Sequence, residues 1–149
     1  MHVRAATLQD LPTLLRMGQS FYEETHYVDI GEYCADSVAD LVIQMVDTGV
    51  CLVVEDEAGK PVGMAGLLVA AFAFNRAHRA AYEVMWWVDP AAQGQGAGKA
   101  LLEAIEPACR EAGCEAIQMV HLASSPPQAG ALYTRMGYGH TESSYTKVL

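Results

Sequence analysis

The stretch from Tyr82 to Ala112 constrains the fold of this chain more than any other. An apolar run, Tyr82 to Val88, passes through Asp89-Pro90 into glycines at every second position (Gly94, Gly96, Gly98), and then into a segment with helical apolar spacing. A strand that turns into a helix leaves the helix's first N–H groups without partners inside the helix. Glycine lets the backbone turn tightly there, and lets a ligand approach with no Cβ in the way. Bare amides at the positive end of a helix dipole suit a phosphate. The chain is therefore expected to carry an α/β unit whose central strand delivers a phosphate-binding loop.

Two well-known loops do not match. A P-loop requires glycine, four residues, then Gly-Lys-Ser/Thr. Here Gly98-Lys99 is followed by Ala100, and Gln93 stands where the first glycine belongs. A dinucleotide fingerprint requires G-x-G-x-x-G early in a βαβ unit, with an acid about 20 residues later. The spacing here is G-x-G-x-G and the strand comes after residue 80, although Glu115 lies within roughly that distance. A nucleotide-binding α/β domain is the poorer reading.

The remaining pattern is Gln-x-x-Gly-x-Gly, formed by Gln93, Gly96 and Gly98. With its flanks it resembles the acyl-CoA pyrophosphate loop of the GNAT superfamily of N-acetyltransferases. A second segment, Ala129 to Tyr138 (Ala-Gly-Ala-Leu-Tyr-Thr-Arg-Met-Gly-Tyr), is similar to that family's late-helix pattern A-x-x-L-Y-x-x-x-G-F/Y. The two motifs stand in family order, and the resemblance covers nearly the whole chain.

The resemblance implies one N-acetyltransferase domain over residues 1–149. Its fold would be a single-domain mixed, twisted α/β sheet of about six or seven strands, with helices on both faces. Two central parallel strands, here 80–88 and 116–122, would splay into a V-shaped split that admits acetyl-CoA. The activity implied is transfer of an acetyl or acyl group from acetyl-CoA to a primary amine of a small molecule or protein, by direct attack in a ternary complex. A non-catalytic acyl-CoA-binding sensor or assembly module is the alternative.

Site residues follow from the same resemblance. Backbone amides around Gly94, Gln95, Gly96, Ala97, Gly98 and Lys99 would hold the pyrophosphate, Gln93 would shape the loop, and Lys99 would add charge. Tyr133 occupies the position of the family's tyrosine, where a phenol protonates or hydrogen-bonds the departing sulfur. The main-chain N–H of Trp87 or Val88 would polarise the thioester carbonyl. Many relatives carry an asparagine before the late helix that touches the cofactor; Ser124-Ser125-Pro126-Pro127 stands there instead, and Ser125 is the candidate substitute.

For the base, Glu83 lies on the same strand as the loop. Strand parity decides whether it faces the acceptor, and a bulge, common beside sites, would shift that parity. His121 is a further base candidate. Tyr22, Glu23, His26 and Tyr27, with Glu24 and Tyr33, are the candidate acceptor contacts, since aromatic faces and carboxylates suit an ammonium group. Trp86-Trp87 places one indole on each face of the strand.

Composition narrows the alternatives. A formal net charge of −9, with Arg76, His78 and Arg79 as the only basic cluster, argues against nucleic acid and favours a cationic or neutral acceptor. No run approaches the ~20 apolar residues that span a bilayer. The N-terminus lacks a signal peptide's pattern. The four cysteines (Cys34, Cys51, Cys109, Cys114) have no C-x-x-C spacing and the histidines form no H-x-x-x-H, so no metal or disulfide framework is read. These features predict a cytoplasmic protein, compatible with a homodimer.

Periodicity supplies the elements: a strand over 2–6, a helix over 8–24 capped by Thr7 with Asp10, and a second helix over 37–48 capped by Asp36. A hairpin over 50–55 and 61–72 follows, then a loop over 73–79, the strand 80–88, a helix over 97–112, a strand over 116–122 and a helix over 128–136. One or two closing strands are predicted within 138–149.

Overall fold

The structure is a computed structural model and describes residues 1–149. Five strands form one sheet in chain order: β1 (His2–Ala5), β2 (Val50–Glu55), β3 (Pro61–Phe72), β4 (Asn75–Val88) and β5 (Ala116–Gln118). The first three pairings are antiparallel, and β4 pairs with β5 in parallel. Four helices flank the sheet: α1 (Leu11–Glu23), α2 (Ala35–Asp47), α3 (Ala97–Glu111) and α4 (Pro127–Arg135).

The sheet separates two apolar layers. Val50, Leu52 and Val54 of β2 point to one face, where they meet Leu101, Leu102 and Ile105 of α3. Cys51 and Val53 point to the other, against Leu14 and Met17 of α1 and Val42 and Met45 of α2. The alternation is the two-residue period of a strand buried on both sides. Leu14, Met17, Val42, Leu101 and Ile105 have no measurable exposure, and each such burial contributes roughly 1.5–3 kcal/mol.

Local chemistry ends the elements as the sequence predicts in several places. The Asp10 carboxylate accepts from the Thr7 N–H at 2.8 Å before α1 begins. Gly113, at φ 80°, stops α3. The second helix starts earlier than expected: Cys34 occupies its N-cap, and Asp36 lies inside the first turn.

Three expectations for the sheet are corrected. The predicted loop at 73–79 is mostly strand, because β3 and β4 continue as a two-stranded arm with Ala71 opposite Arg79 and Phe72 opposite Asn75. Residues 75–79 are all exposed, and no apolar alternation marks the arm in the sequence. Besides its ladder, the arm is held by the Glu115 N–H donating to the Arg79 carbonyl, by the His78–Glu115 contact and by the Phe72–Phe74 ring pair. The predicted strand 116–122 ends at Gln118, because the main-chain groups of Val120 and Leu122 are bonded by the side chains of Glu83, Tyr133 and Ser125 instead of by the main chain of β4. The predicted closing strands are absent: residues 138–149 have no regular structure, and β5 offers only three residues to pair with. The sheet therefore has five strands, not six or seven.

What the fold delivers is a split. β4 and β5 pair only at Ala80–Ala116, Ala81–Ile117 and Tyr82–Gln118, and beyond that point they separate. The loop, the first turn of α3 and the residues after β5 all meet at this opening.

Candidate active site

The loop between β4 and α3 presents unpaired donors. Gly94 and Gly96 have φ of 76° and 89°, conformations that favour glycine. A Cβ built on either would meet nothing within 4 Å. The main-chain N–H groups of residues 94–99 donate to no protein acceptor, and no side chain caps α3. The loop is braced from outside this row of donors. Gln93 Nε2 donates to the Val88 carbonyl at 3.0 Å, and Gln95 Nε2 donates to the Ala91 carbonyl at 2.8 Å. Ala97 is buried, whereas Lys99 is exposed and pairs with Glu103 at 3.5 Å. Six successive bare amides, open space where glycine lacks a side chain, and the positive end of a 15-residue helix together match a diphosphate.

A clamp that sequence reasoning missed holds the base of this loop. Arg16 of α1 donates two hydrogen bonds to Asp89, at 3.0 and 2.8 Å, and the Trp87 indole N–H donates to the same carboxylate at 3.0 Å. The partners lie 73 residues apart, so no local pattern announces them.

One extra residue decides the faces of β4. Glu83 pairs with Leu67 and Met85 with Gly66, leaving Val84 as a bulge. Past it the alternation is reversed. Trp87 is buried among the side chains of α1 and α2, and Trp86 packs on the α3 and α4 side, 5.5 Å from the Tyr133 ring. The indole N–H of Trp86 is buried with no partner. The strand edge is set in the same way. The Asp89 N–H donates to the Val62 carbonyl on β3, so the alternation turns the Val88 N–H towards the split and the Trp87 N–H away from it.

Glu83 and Tyr133 converge on one residue, Val120. The Val120 N–H donates to Glu83 Oε2 at 2.8 Å, and the Tyr133 hydroxyl donates to the Val120 carbonyl at 3.0 Å. Burial pushes the Glu83 carboxyl up to about 7, against the opposing effect of the Val120 N–H. Burial, then the nearby Glu83 and Tyr138, pushes the Tyr133 phenol well above its ordinary value. Glu83 is thus near its midpoint at neutral pH, and Tyr133 remains a donor. Val120 contributes only main chain, which explains why side-chain identity could not reveal it.

On the α1–α2 side the split opens into a cleft of about 590 Å³, where Tyr22, Tyr27 and Tyr33 meet Glu32 and Glu83 above an apolar floor. Tyr22 and Tyr33 donate to the carbonyls of Gly31 and Leu15, which fixes their rings. Of the predicted acceptor contacts, Tyr22 and Tyr27 line this cleft. Glu23 and His26 do not: the Glu23 carboxylate accepts from Gln19, and the His26 ring rests on Tyr27. Glu24 is exposed at the end of α1. Glu32 and Tyr33 belong to the lining, although sequence reasoning gave Glu32 no role.

Ser125 Oγ accepts from the Leu122 N–H at 2.9 Å, closing the turn before α4. His121 is exposed, with Nε2 3.3 Å from the Pro126 carbonyl. No three His, Cys, Asp or Glu side chains gather as a metal site, no helix is long and apolar enough to cross a membrane, and the four cysteines are unpaired.

Comparison with known proteins agrees with this geometry. No curated protein sequence matches the chain. Among solved structures, it is similar to a ribosomal-protein-alanine N-acetyltransferase from Brucella melitensis (16% identity, TM-score 0.72, 100% of each chain). It is also similar to an acetyltransferase from Trypanosoma brucei (21%, 0.71, 99% of each). A third likeness is to glucosamine-6-phosphate N-acetyltransferase from Arabidopsis thaliana (16%, 0.70, 98% of this chain and 96% of that one). At these identities the likeness establishes the fold. The family itself is shown by the model of the Acetyltransferase (GNAT) family, which matches residues 14–138 and so spans the bare-amide loop, the split and the tyrosine helix. The chain belongs to the GNAT family of acetyltransferases and is an acyltransferase enzyme.

Proposed function

We propose that the chain, as one domain over residues 1–149, moves an acetyl group from acetyl-CoA to a primary amine of a small molecule or protein, by direct attack in a ternary complex. The observation that carries this reading is the meeting of two features at one split: six acceptor-less amides at residues 94–99, and Glu83 with Tyr133 bonded to the two main-chain groups of Val120.

In this reading, the amides of residues 94–99 hold the diphosphate, with Gln93 bracing the turn. Bound there, acetyl-CoA supplies an activated acyl carbon. The Val88 N–H, directed into the split, stabilises negative charge on the carbonyl oxygen. Glu83 accepts a proton from the incoming ammonium; a carboxyl near 7 is matched to that task at neutral pH. Its second oxygen is free for this, since Oε2 is held by Val120. Tyr133, protonated at every physiological pH, has one hydroxyl hydrogen; it turns from the Val120 carbonyl to the departing sulfur, which leaves with the proton that the nitrogen loses on acylation. Ser125 orders the turn beside the same opening, and its hydroxyl hydrogen remains free to donate. Holding both reactants in line can itself lower the barrier by roughly 7–11 kcal/mol.

A Tyr133→Phe variant tests the reading. The expected result is a fall in kcat of about 100-fold or more with coenzyme A affinity unchanged by calorimetry. No turnover across a broad amine panel, with coenzyme A still bound, would support the sensor alternative.

A further inference from the structure

The cleft that holds Glu83 has an unusual restriction in charge. Its walls include two carboxylates, Glu32 and Glu83, and no lysine, arginine or histidine. Glu32 is exposed and has no ion-pair partner. The floor is apolar, with Leu68, Val84 and Met85 from the sheet and Phe21, Val38 and Leu41 from the helices. The aromatic wall is partly rigid, because Tyr22 and Tyr33 spend their hydroxyls on main-chain carbonyls. Tyr27 has no side-chain hydrogen bond, and it is held in place through Thr25, whose Oγ1 accepts from the Tyr27 N–H at 3.3 Å.

Building on the acetyltransferase reading of this site, we propose that its acceptor is an amine on an apolar body that carries no acidic group: an alkyl- or arylalkylamine, not an amino acid or a phosphorylated amino sugar. An ammonium entering this cleft meets two carboxylates and several aromatic faces, each of which favours a cation. A carboxylate or phosphate carried on the same molecule meets no counter-charge, loses its water and faces Glu83 or Glu32. Burying an unpaired charge beside like charge is strongly unfavourable. The apolar floor meanwhile favours a hydrocarbon body over a polyhydroxylated one. Glu32 is thereby assigned as a specificity-determining residue, which excludes anions at the mouth without taking part in the chemistry.

Matched acceptors differing by one carboxylate test this directly: 2-phenylethylamine against phenylalanine, and hexylamine against 6-aminohexanoate, in steady-state acetyl transfer by the full chain. Each amine is expected to exceed its carboxylate partner in kcat/KM by about 100-fold. The variant Glu32→Arg, on an exposed position that does not endanger folding, is expected to narrow that ratio about tenfold, with the change carried mainly by KM for the acid-bearing partner. Equal or better use of the acid-bearing partners overturns the proposal and leaves the acetyltransferase reading standing. Turnover of neither member also overturns it, and coenzyme A calorimetry then separates the two failures: heat on binding preserves cofactor use, and its absence removes the wider reading as well.

Discussion

Replacing Glu83 with glutamine is expected to stabilise the protein while disabling it. In the folded state the carboxyl is pushed from 4.5 up to about 7 by burial. At about 1.4 kcal/mol per tenfold change, keeping it ionised above pH 7 costs the folded protein about 3 kcal/mol. Between pH 4.5 and 7 the folded state retains a proton that the unfolded chain has released, so stability falls as pH rises through that window and is flat above it. Glutamine removes the charge, its amide oxygen still accepts from the Val120 N–H, and its new NH₂ group faces the open cleft. Thermal unfolding should therefore show Glu83→Gln melting roughly 6–12 °C above the parent at pH 8, at about 2–4 °C per kcal/mol for a chain of this size, with the difference vanishing near pH 4.5. In the same samples, acetyl transfer at pH 8 should fall by roughly 100-fold or more, and the parent's kcat/KM should rise with pH through about 7. A melting difference that does not change with pH would refute the reasoning, because it would mean that the carboxylate is not ionising against burial.

Gly96→Ala places a side chain at φ 89°, where strain of about 1–2 kcal/mol lowers the melting point by a few degrees. It also projects a methyl into the space before the bare amides, and calorimetry should show coenzyme A binding at least tenfold weaker; unchanged affinity would remove the loop from the site. Asp89→Ala leaves the Trp87 indole N–H without its acceptor and frees Arg16, so denaturant unfolding should show a loss of about 1–3 kcal/mol, against little change for Arg16→Ala, whose side chain is half exposed. Hydrogen bonds from Arg4 hold Asp10 below its ordinary value, so its contribution is present above pH 4 and is lost as pH falls further. An Asp10→Asn variant should flatten that part of the acid-unfolding curve, and a curve of unchanged slope would show that the pair contributes nothing.

Much of the scaffold was legible in residues alone. The apolar spacing of Leu14 and Met17, of Val42 and Met45, and of Leu101, Leu102 and Ile105 marked the buried faces of three helices, because a helix must put such a stripe against something. The alternate glycines after Val88 announced a turn with φ above zero and a helix start without a cap. The β3–β4 arm was not legible, since both of its faces meet water at residues 75–79 and the side chains there carry no pattern. Nor was the early end of β5: Ala116 to Leu122 reads as one apolar strand, but Glu83, Tyr133 and Ser125 capture its main chain after Gln118.

The sequence by itself determined which segments are strands and helices at the centre of the molecule and where the backbone would present free donors, since both follow from local sterics and from the spacing of apolar side chains. Only the tertiary structure decided which indole faces which layer, that Glu83 reaches the split, and that Arg16 holds Asp89. For the indoles the physical reason is the single unpaired residue Val84, because a one-residue slip in a period of two reverses the side chains that follow it. Glu83 and Arg16 instead bond to partners 37 and 73 residues away, which only the folded chain brings together.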